Sequence, residues 1–378
     1  MSEPEPERTE RTELRRSSRV PEVLRTRLQA WLVRKLGDES AVVSDVGSTS
    51  ATGMSSETVL FDAGWTLDGL RQEHRLVARL APDASDVPVF PSYEMARQFE
   101  VIRLVGELSS VPVPRVWWLE PEVEAIGTPF FVMERIDGDV PPDVMPYNFG
   151  DSWLFDAGAA EQRRLQDASV ALLASLHAID GAGERFAFLA FDEEGGGDSA
   201  LRRHVAHARA WYSFAIAGEG TARSPLIERG FAWLDDNWPD DSAESVVSWG
   251  DARIGNIMYR DFEPVAVLDW EMAGLGPREL DVAWMVYSHR AFEDIAARYG
   301  FPGMPGFLLR DDVVAAYESA AGCRLRDLDW YLGYAAVQWG IVGLRTGLRQ
   351  VHFGERPMPE DVDELLLNRE ALEELVAS

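Results

Sequence analysis

The sequence predicts an α+β protein of two lobes, a β-rich N-terminal lobe followed by a mainly helical C-terminal lobe. Short β-like runs are concentrated in the first third of the chain, and a linker that contains glycine and prolines follows Ile136. Beyond this linker the apolar residues recur with helical spacing, interrupted by one β-rich island. We therefore expect a disordered tail over residues 1–20, an N-lobe over 21–135 and a C-lobe over 136–378.

The composition disfavours several classes of protein. The chain has 378 residues, with 36 Lys or Arg and 64 Asp or Glu, so its formal charge is −28. This charge disfavours nucleic acid and anionic membrane as partners; it either attracts a cationic small molecule or simply solubilises the surface. Cys323 is the single cysteine, and the longest apolar stretch, Tyr331–Leu344, is too short to cross a bilayer. We expect a cytoplasmic protein that has no membrane segment.

The N-terminal elements follow from a change in apolar periodicity. A stripe of apolar residues, with a proline at its start and a glycine past its end, predicts a helix over Pro21–Leu36. Strand-like runs and one further helix follow. In chain order they are Ala41–Val46, Thr58–Ala63, Arg75–Leu80, the helix Ser92–Leu108, Arg115–Leu119 and Pro129–Glu134. The first three runs predict an antiparallel meander.

The C-terminal elements are mostly helical. The predicted helices are Glu161–Ile179, Leu201–Phe214, Leu226–Trp238, Glu279–Tyr299, Asp327–Leu348 and Asp361–Val376. The β-rich island consists of Ser245–Ser248, Ile257–Arg260 and Val265–Leu268, and a tight turn joins its last two runs. Exposed turns of this kind often carry chemistry.

The segment W-G-D-A-R-I-G-N, followed after the hairpin by L-D-W-E, is the informative part of the chain. It places Asp251 and Asn256 five residues apart on one loop and Asp269 at the end of the returning strand, so the three can converge. Amide and carboxylate oxygens suit a hard cation, and Asn256 with Asp269 would hold Mg²⁺ while water and phosphate complete its shell. Asp251 would orient an acceptor hydroxyl and accept its proton. The alternative is a solvated hairpin with incidental acids.

This ordered set of motifs resembles the catalytic core of the aminoglycoside phosphotransferase and choline kinase-like family. The likeness covers roughly residues 40–350 and is closest to bacterial proteins provisionally described as aminoglycoside phosphotransferases. Those proteins also resemble the kinase-like domain found beside acyl-CoA dehydrogenases. The resemblance implies a bilobal protein-kinase-like fold and ATP and Mg²⁺ as cofactors. It also implies an N-lobe that binds nucleotide and a C-lobe that is catalytic and binds the acceptor.

The family places a strand lysine against the nucleotide phosphates and pairs it with a helix glutamate. The matching positions hold Arg79 and Glu100. Arginine is a departure from the usual lysine, but its planar fork can still hold phosphate oxygens and a carboxylate. The alternative is that neither residue is functional and that Arg97 or Arg103 forms a local pair instead.

Other positions in the N-lobe match nucleotide-binding parts of the family. Met133 and Glu134 resemble the end of its hinge strand. The loop that contains Ser55 and Ser56 lies where a kinase folds a loop over the triphosphate, and its hydroxyls and backbone N–H groups can approach phosphate oxygens. An ordinary flexible hairpin is the alternative.

Two positions of the catalytic segment also carry an expectation from the resemblance. Arg253 stands where protein kinases have a lysine that touches the transferring phosphoryl group, so it is a candidate for stabilising the developing charge. Trp249 stands where the family usually has a histidine that supports the loop.

The sequence therefore predicts transfer of the γ-phosphoryl group of MgATP to a hydroxyl group of a small molecule. An aminoglycoside acceptor fits the resemblance and the negative charge, and a hydroxyacyl-CoA or other lipid-like metabolite is the alternative acceptor. Because Arg79 and Trp249 depart from the usual residues, a nucleotide-binding pseudokinase is a further alternative. The sequence gives no indication of oligomeric state.

Overall fold

The computed structural model describes residues 20–48, 56–82, 87–193, 196–217, 223–240 and 244–378. Residues 1–19 of the predicted tail lie outside this part of the chain. The same holds for Ser55 of the predicted phosphate-binding loop.

Helix α1 (Pro21–Leu36) leads into an antiparallel sheet, against which it packs. The elements of this region are β1 (Val42–Ser48), β2 (Glu57–Leu67), β3 (Leu70–Leu80), α2 (Met95–Leu108), β4 (Val116–Glu120) and β5 (Phe130–Glu134). Among the described residues the strand order is β1-β2-β3-β5-β4, and every neighbouring pair is antiparallel. Buried Trp31 of α1 meets Phe130 of β5 edge to face, with ring centroids 4.9 Å apart.

The β2–β3 hairpin is longer than the sequence predicted. The predicted strands were Thr58–Ala63 and Arg75–Leu80, whereas the two strands pair as far as Leu67 and Leu70. Only Asp68 and Gly69 form the turn, with φ values of 50° and 78°. An Asp-Gly pair adopts these left-handed angles readily, and such a two-residue turn matches the twist of the strands. The first residues of β3 are mostly polar and exposed, so the apolar pattern did not predict that the strand begins directly after the turn.

The C-terminal region is mainly helical, as predicted. Its helices are α3 (Ala159–His177), α4 (Ala182–Arg185), α5 (Ala200–Ala215), α6 (Pro225–Asp236), α7 (Glu279–Tyr299), α8 (Arg310–Ala321), α9 (Leu328–His352) and α10 (Arg369–Ala377). Helix α8 was not predicted, because its buried residues are only Val313 and Tyr317, too few to mark an apolar stripe.

The predicted helix over Asp361–Val376 is instead a 3₁₀ turn, Val362–Leu365, followed by α10. Asn368 separates the two. Its buried side chain donates to the Tyr287 hydroxyl and to the carbonyl of Ala336, at 2.8 and 2.9 Å. These contacts hold the residue just before α10, where an Asn side chain favours a break in the helix.

The β-rich island forms two small antiparallel pairs. β7 (Ile257–Arg260) and β8 (Glu263–Val267) make the predicted hairpin, and β6 (Val246–Ser248) pairs with β9 (Gly274–Gly276), which the sequence did not predict. The hairpin also contacts the preceding region, because Val267 donates its backbone N–H to the carbonyl of Pro112 at 2.8 Å. The boundary near residue 135 stays a prediction.

A search of the described residues for membrane-spanning helices finds none with the necessary length and apolar character.

Candidate active site

The loop that carries Asp251 leaves the end of β6 through a tight bend. Gly250 has a φ of 87°, and a Cβ atom built there would lie 2.2 Å from the carbonyl oxygen of Met272. Only glycine fits this conformation and this close approach. The sequence Trp-Gly-Asp thus positions Asp251 directly after β6.

Three side chains donate to the Asp251 carboxylate. Trp284 Nε1 donates to Oδ1 at 2.7 Å, and Asn256 Nδ2 donates to Oδ2 at 2.7 Å. Arg253 Nε lies 3.0 and 3.1 Å from the two oxygens. A carboxylate offers about four lone-pair sites, so these donors fix its orientation and leave capacity for one more hydroxyl.

Arg253 lies between two carboxylates. It forms ion pairs with Asp251 and with Asp143, which comes from the segment after the predicted linker. Burial alone lowers the pKa of Arg253, but the two carboxylates outweigh this effect and raise the pKa above its usual value. The guanidinium is therefore held charged beside Asp251.

Helix α7 supports this loop through Asp281. Its carboxylate accepts the backbone N–H groups of Trp249 and Gly250 at 2.7 and 2.9 Å, and His177 contacts it at 3.0 Å. Burial alone raises the pKa of Asp281, but His177 and the two amides outweigh burial and lower it. Asp281 thus holds the backbone of the loop that carries Asp251.

Asp269 reaches the same site from the end of β8. The backbone N–H of Leu268 donates to the carbonyl of Asn256 at 2.9 Å, which brings the two segments together. Asp269 itself has a φ of 58°. Buried Trp249 donates its indole N–H to the carbonyls of Leu268 and Asp269 at 2.9 and 3.2 Å. These contacts hold the backbone at Asp269 from the core side.

Arg79 connects β3 of the sheet to Asp269. Its guanidinium donates to Asp269 Oδ1 at 2.9 Å, to Ser56 Oγ at 2.6 Å and to Thr58 Oγ1 at 2.8 Å. Oε2 of Glu271 lies 4.0 Å from the Arg79 guanidinium and accepts a hydrogen bond from the Ser56 hydroxyl at 3.1 Å. Arg79 and Ser56 thus lie together at the junction of the sheet and the catalytic segment.

The predicted pair of Arg79 with Glu100 is not formed. Glu100 is bound instead by Arg103, one helical turn along α2, at 2.6 Å, which is the local pairing considered as the alternative. Arg79 is drawn to Asp269 because Asp269 is more buried than Glu100, with 19% of its side chain exposed against 38%. A less solvated carboxylate attracts a cation more strongly.

The sequence profile of the APH phosphotransferase enzyme family matches residues 16–310, more than half of the chain. The chain belongs to the APH phosphotransferase family. It is 26% identical over 271 residues to "Probable acyl-CoA dehydrogenase IBR3" of Arabidopsis thaliana, an alignment that covers 68% of this chain and 31% of that protein. The chain thus spans about a third of the length of this curated relative.

Solved structures of phosphotransferases share the fold. A Ralstonia eutropha protein provisionally described as an aminoglycoside phosphotransferase superposes with a TM-score of 0.63 at 20% identity, covering 93% of this chain and 96% of its own. Aminoglycoside phosphotransferase APH(4)-Ia, solved with ADP and hygromycin B, superposes with a TM-score of 0.53 at 15% identity. The superposition covers 93% of this chain and 99% of that chain. The protein-kinase-like fold predicted from the sequence is confirmed.

The remaining predicted nucleotide contacts of this APH-family chain lie at the C-terminal end of β5. Met133 is buried near the end of β5 and pairs with Val77 of β3, while Glu134 is exposed at the strand end. Nothing in the structure tests their contact with nucleotide, so this role stays a prediction.

The donor set at this site fits a magnesium ion. Asn256 uses its amide N–H to bind Asp251, which leaves the amide oxygen as an acceptor. Asp269 uses Oδ1 for Arg79 and accepts no side-chain hydrogen bond at Oδ2 from the described residues. One amide and one carboxylate oxygen are the usual protein contribution to a magnesium–nucleotide complex.

Two residues of this site, Asp143 and Trp284, were not predicted from the sequence. Asp143 comes from a segment more than 100 positions before Arg253, so no local pattern linked the two. Trp284 is three residues after Asp281, and this helical spacing puts both on one face of α7.

Proposed function

We propose that this protein transfers the γ-phosphoryl group of ATP to a hydroxyl group of a small molecule. The observation that carries the proposal is the ion pair of Arg79 with Asp269, 2.9 Å long. It joins the predicted nucleotide side of the sheet to the segment that holds Asp251 and Asn256. Membership of the phosphotransferase family supports the same reaction class.

Asp251 holds the acceptor hydroxyl and takes its proton. The hydroxyl oxygen forms a bond to the γ-phosphorus as the bond between that phosphorus and the β–γ bridging oxygen breaks, and ADP leaves. The donors from Trp284, Asn256 and Arg253 keep the carboxylate in one orientation, so the hydroxyl meets a fixed acceptor.

Arg79 and Ser56 contact the phosphates, and Arg253 stabilises negative charge near the transferring group. Arg79 is already hydrogen-bonded to Ser56, Arg253 is already held by Asp143, and both arginines are largely shielded from water, so little reorganisation is needed. Mg²⁺, when bound by Asn256 and Asp269, supplies divalent charge that neutralises the phosphate oxygens.

Two acceptor classes are supported by the names of related proteins. APH(4)-Ia was solved with hygromycin B, which favours an aminoglycoside. The relative from Arabidopsis is named as an acyl-CoA dehydrogenase, which favours a hydroxyacyl-CoA as the second candidate.

The test is acceptor-dependent release of ADP from MgATP, measured with aminoglycosides, hydroxyacyl-CoAs, sugars and choline-like amines. Turnover with one class is expected, and Asp251→Asn should lower it by at least about a hundredfold because the proton acceptor is lost. Asp261→Asn is the matched control, since Asp261 is exposed on the β7–β8 turn. Saturable MgATP binding without any turnover would favour a pseudokinase, and absence of both would refute the proposal.

A further inference from the structure

A cavity lies next to the elements that support the loop of Asp251. It is formed where the end of α3, the start of β6, the residue before α7 and the end of α8 meet, and its volume is about 260 Å³. This volume is slightly below the range of roughly 300–1,000 Å³ that is usual for drug-sized ligands, so it suits a smaller molecule. We call it the α3–α8 cavity. Its lining includes His177, Asp180, Glu244, Val246, Arg278 and Ala321.

One wall of the α3–α8 cavity is positively charged. Arg278 is partly buried in this wall and directly precedes α7, whose N-terminus carries a partial positive charge. Its guanidinium donates to Sγ of Cys323 at 3.3 Å, and it forms no ion pair with a carboxylate in the part of the chain that the structure describes. A guanidinium in this position can bind the carboxylate of a ligand.

The opposite walls are negatively charged. Helices α3 and α8 both end at the cavity, at His177 and Ala321, and a helix C-terminus carries a partial negative charge. Asp180 and Glu244 are exposed residues of the same lining, so their carboxylates lie on its solvent side. The two carboxylates and the two helix ends together favour a cationic group such as an ammonium.

The inner wall of the α3–α8 cavity is connected to the loop of Asp251. Buried His177 lines the cavity and contacts Oδ2 of Asp281 through Nε2 at 3.0 Å. Asp281 in turn accepts the backbone N–H groups of Trp249 and Gly250. A molecule in the cavity therefore contacts a side chain that is one carboxylate away from the backbone of this loop.

We propose that the α3–α8 cavity binds a small zwitterion, an amino acid or a similar molecule with one carboxylate and one ammonium group, and that its binding stabilises the loop of Asp251. The ligand carboxylate lies at Arg278, and the ammonium group lies at Asp180 and Glu244. An ion with a single charge does not match both sides of the cavity, because an anion meets the two carboxylates and a cation meets the guanidinium. The site is separate from the proposed site of phosphoryl transfer.

The first experiment compares three molecules that have the same four-carbon chain: γ-aminobutyrate, butyrate and butylamine. Their dissociation constants for the full chain are measured by calorimetry. We expect γ-aminobutyrate to bind at least about tenfold more tightly than butyrate or butylamine, because it makes a charge-assisted contact on both sides of the cavity. No binding of γ-aminobutyrate, or equally tight binding of butyrate or butylamine, would overturn the proposal.

Variants locate the ligand. Arg278→Gln should weaken binding of γ-aminobutyrate about tenfold without weakening that of butylamine. The double variant Asp180→Asn, Glu244→Gln should weaken it by a similar factor without weakening the binding of butyrate. Arg298→Gln, at an exposed arginine at the other end of α7, is the matched control and should bind as the wild-type protein does.

The double variant also guards against a loss of folding. Asp180 and Glu244 are exposed, so their replacement should leave the fold intact even where Arg278→Gln does not. Thermal unfolding of each variant checks this point. Unchanged affinity for γ-aminobutyrate in the folded double variant would place the ligand elsewhere and refute the assignment.

Hydrogen exchange tests the effect on the loop. The backbone N–H groups of Trp249 and Gly250 are bonded to Asp281, so we expect saturating γ-aminobutyrate to slow their exchange at least about threefold more than that of the α1 amides. Equal slowing in both regions, or none, would contradict the link to the loop. Both measurements are made without ATP or acceptor, so their outcome does not depend on phosphoryl transfer.

Discussion

The indole N–H of Trp284 donates to Oδ1 of Asp251 at 2.7 Å, which ties helix α7 to the candidate proton acceptor. The same helix supports the backbone of the loop through Asp281, three residues earlier. Backbone and carboxylate are thus positioned by one rigid element, which suits a group that has to meet a substrate hydroxyl in a fixed orientation.

Replacing Trp284 with Phe removes this hydrogen bond and keeps most of the ring. We expect kcat to fall about ten- to hundredfold, because small misplacement of a reacting group is costly, while the KM for ATP stays within about twofold. Steady-state kinetics with the active acceptor measure both. Trp330→Phe is the control, since Trp330 is equally buried but donates to the carbonyl of Leu234. An unchanged kcat in Trp284→Phe would show that Arg253 and Asn256 are enough to orient the Asp251 carboxylate.

Asp143 positions Arg253 from outside the catalytic loop. Removing the carboxylate in Asp143→Ala leaves the guanidinium with Asp251 alone, so we expect kcat to fall about tenfold as Arg253 moves toward that carboxylate. Kinetics and thermal unfolding are measured together. Asp137→Ala is the comparison. Asp137 lies on the same segment as Asp143 but pairs with exposed Arg75 of β3. An equal fall in kcat in both variants would show that the loss comes from disturbing the segment and not from the position of Arg253.

Arg79 makes contacts that a lysine cannot reproduce together. It binds Ser56, Thr58 and Asp269 through two guanidinium nitrogens, whereas lysine offers one point charge. We expect Arg79→Ala to weaken MgATP binding by at least about tenfold and Arg79→Lys to recover part of the loss. Calorimetric titration with nucleotide gives the dissociation constants.

The control for Arg79 is Arg71→Ala, on the same strand but exposed and paired with Glu73. It should bind nucleotide as the wild-type protein does. Unchanged nucleotide affinity in Arg79→Ala would remove Arg79 from the predicted phosphate contacts.

His204 is expected to make the protein sensitive to acid. Burial lowers its pKa to about 3, and its Nε2 has no hydrogen-bond partner among the described residues. The histidine is therefore neutral in the folded protein but binds a proton in the unfolded chain below its ordinary pKa of about 6.5. Its contribution to stability is complete above that pH and declines as the pH falls toward 3, by at most about 1.4 kcal/mol per pH unit.

Chemical denaturation between pH 7 and pH 4 tests this expectation. His204→Gln should show a flatter dependence of the unfolding free energy on pH than the wild-type protein. His352→Gln, at an exposed histidine, should retain the wild-type slope. Equal slopes for all three proteins would contradict the assignment to His204.

The N-terminal sheet, the mainly helical C-terminal region and the proximity of three candidate site residues could be predicted from the sequence. Asp251, Asn256 and Asp269 lie within nineteen positions on a loop and a hairpin, so local spacing and the Trp-Gly-Asp bend were enough to predict their proximity. The strands and most helices followed from apolar periodicity in the same way, because these patterns repeat over a few residues.

The partners of the charged residues depend on tertiary contacts and could not be predicted from the sequence. Arg79 was predicted to pair with Glu100, but it pairs with the more shielded Asp269, and Arg103 pairs with Glu100. Asp143 reaches Arg253, and Trp284 reaches Asp251, from distant parts of the chain. Such pairings depend on burial and on the meeting of separate elements, which no local pattern of residues encodes.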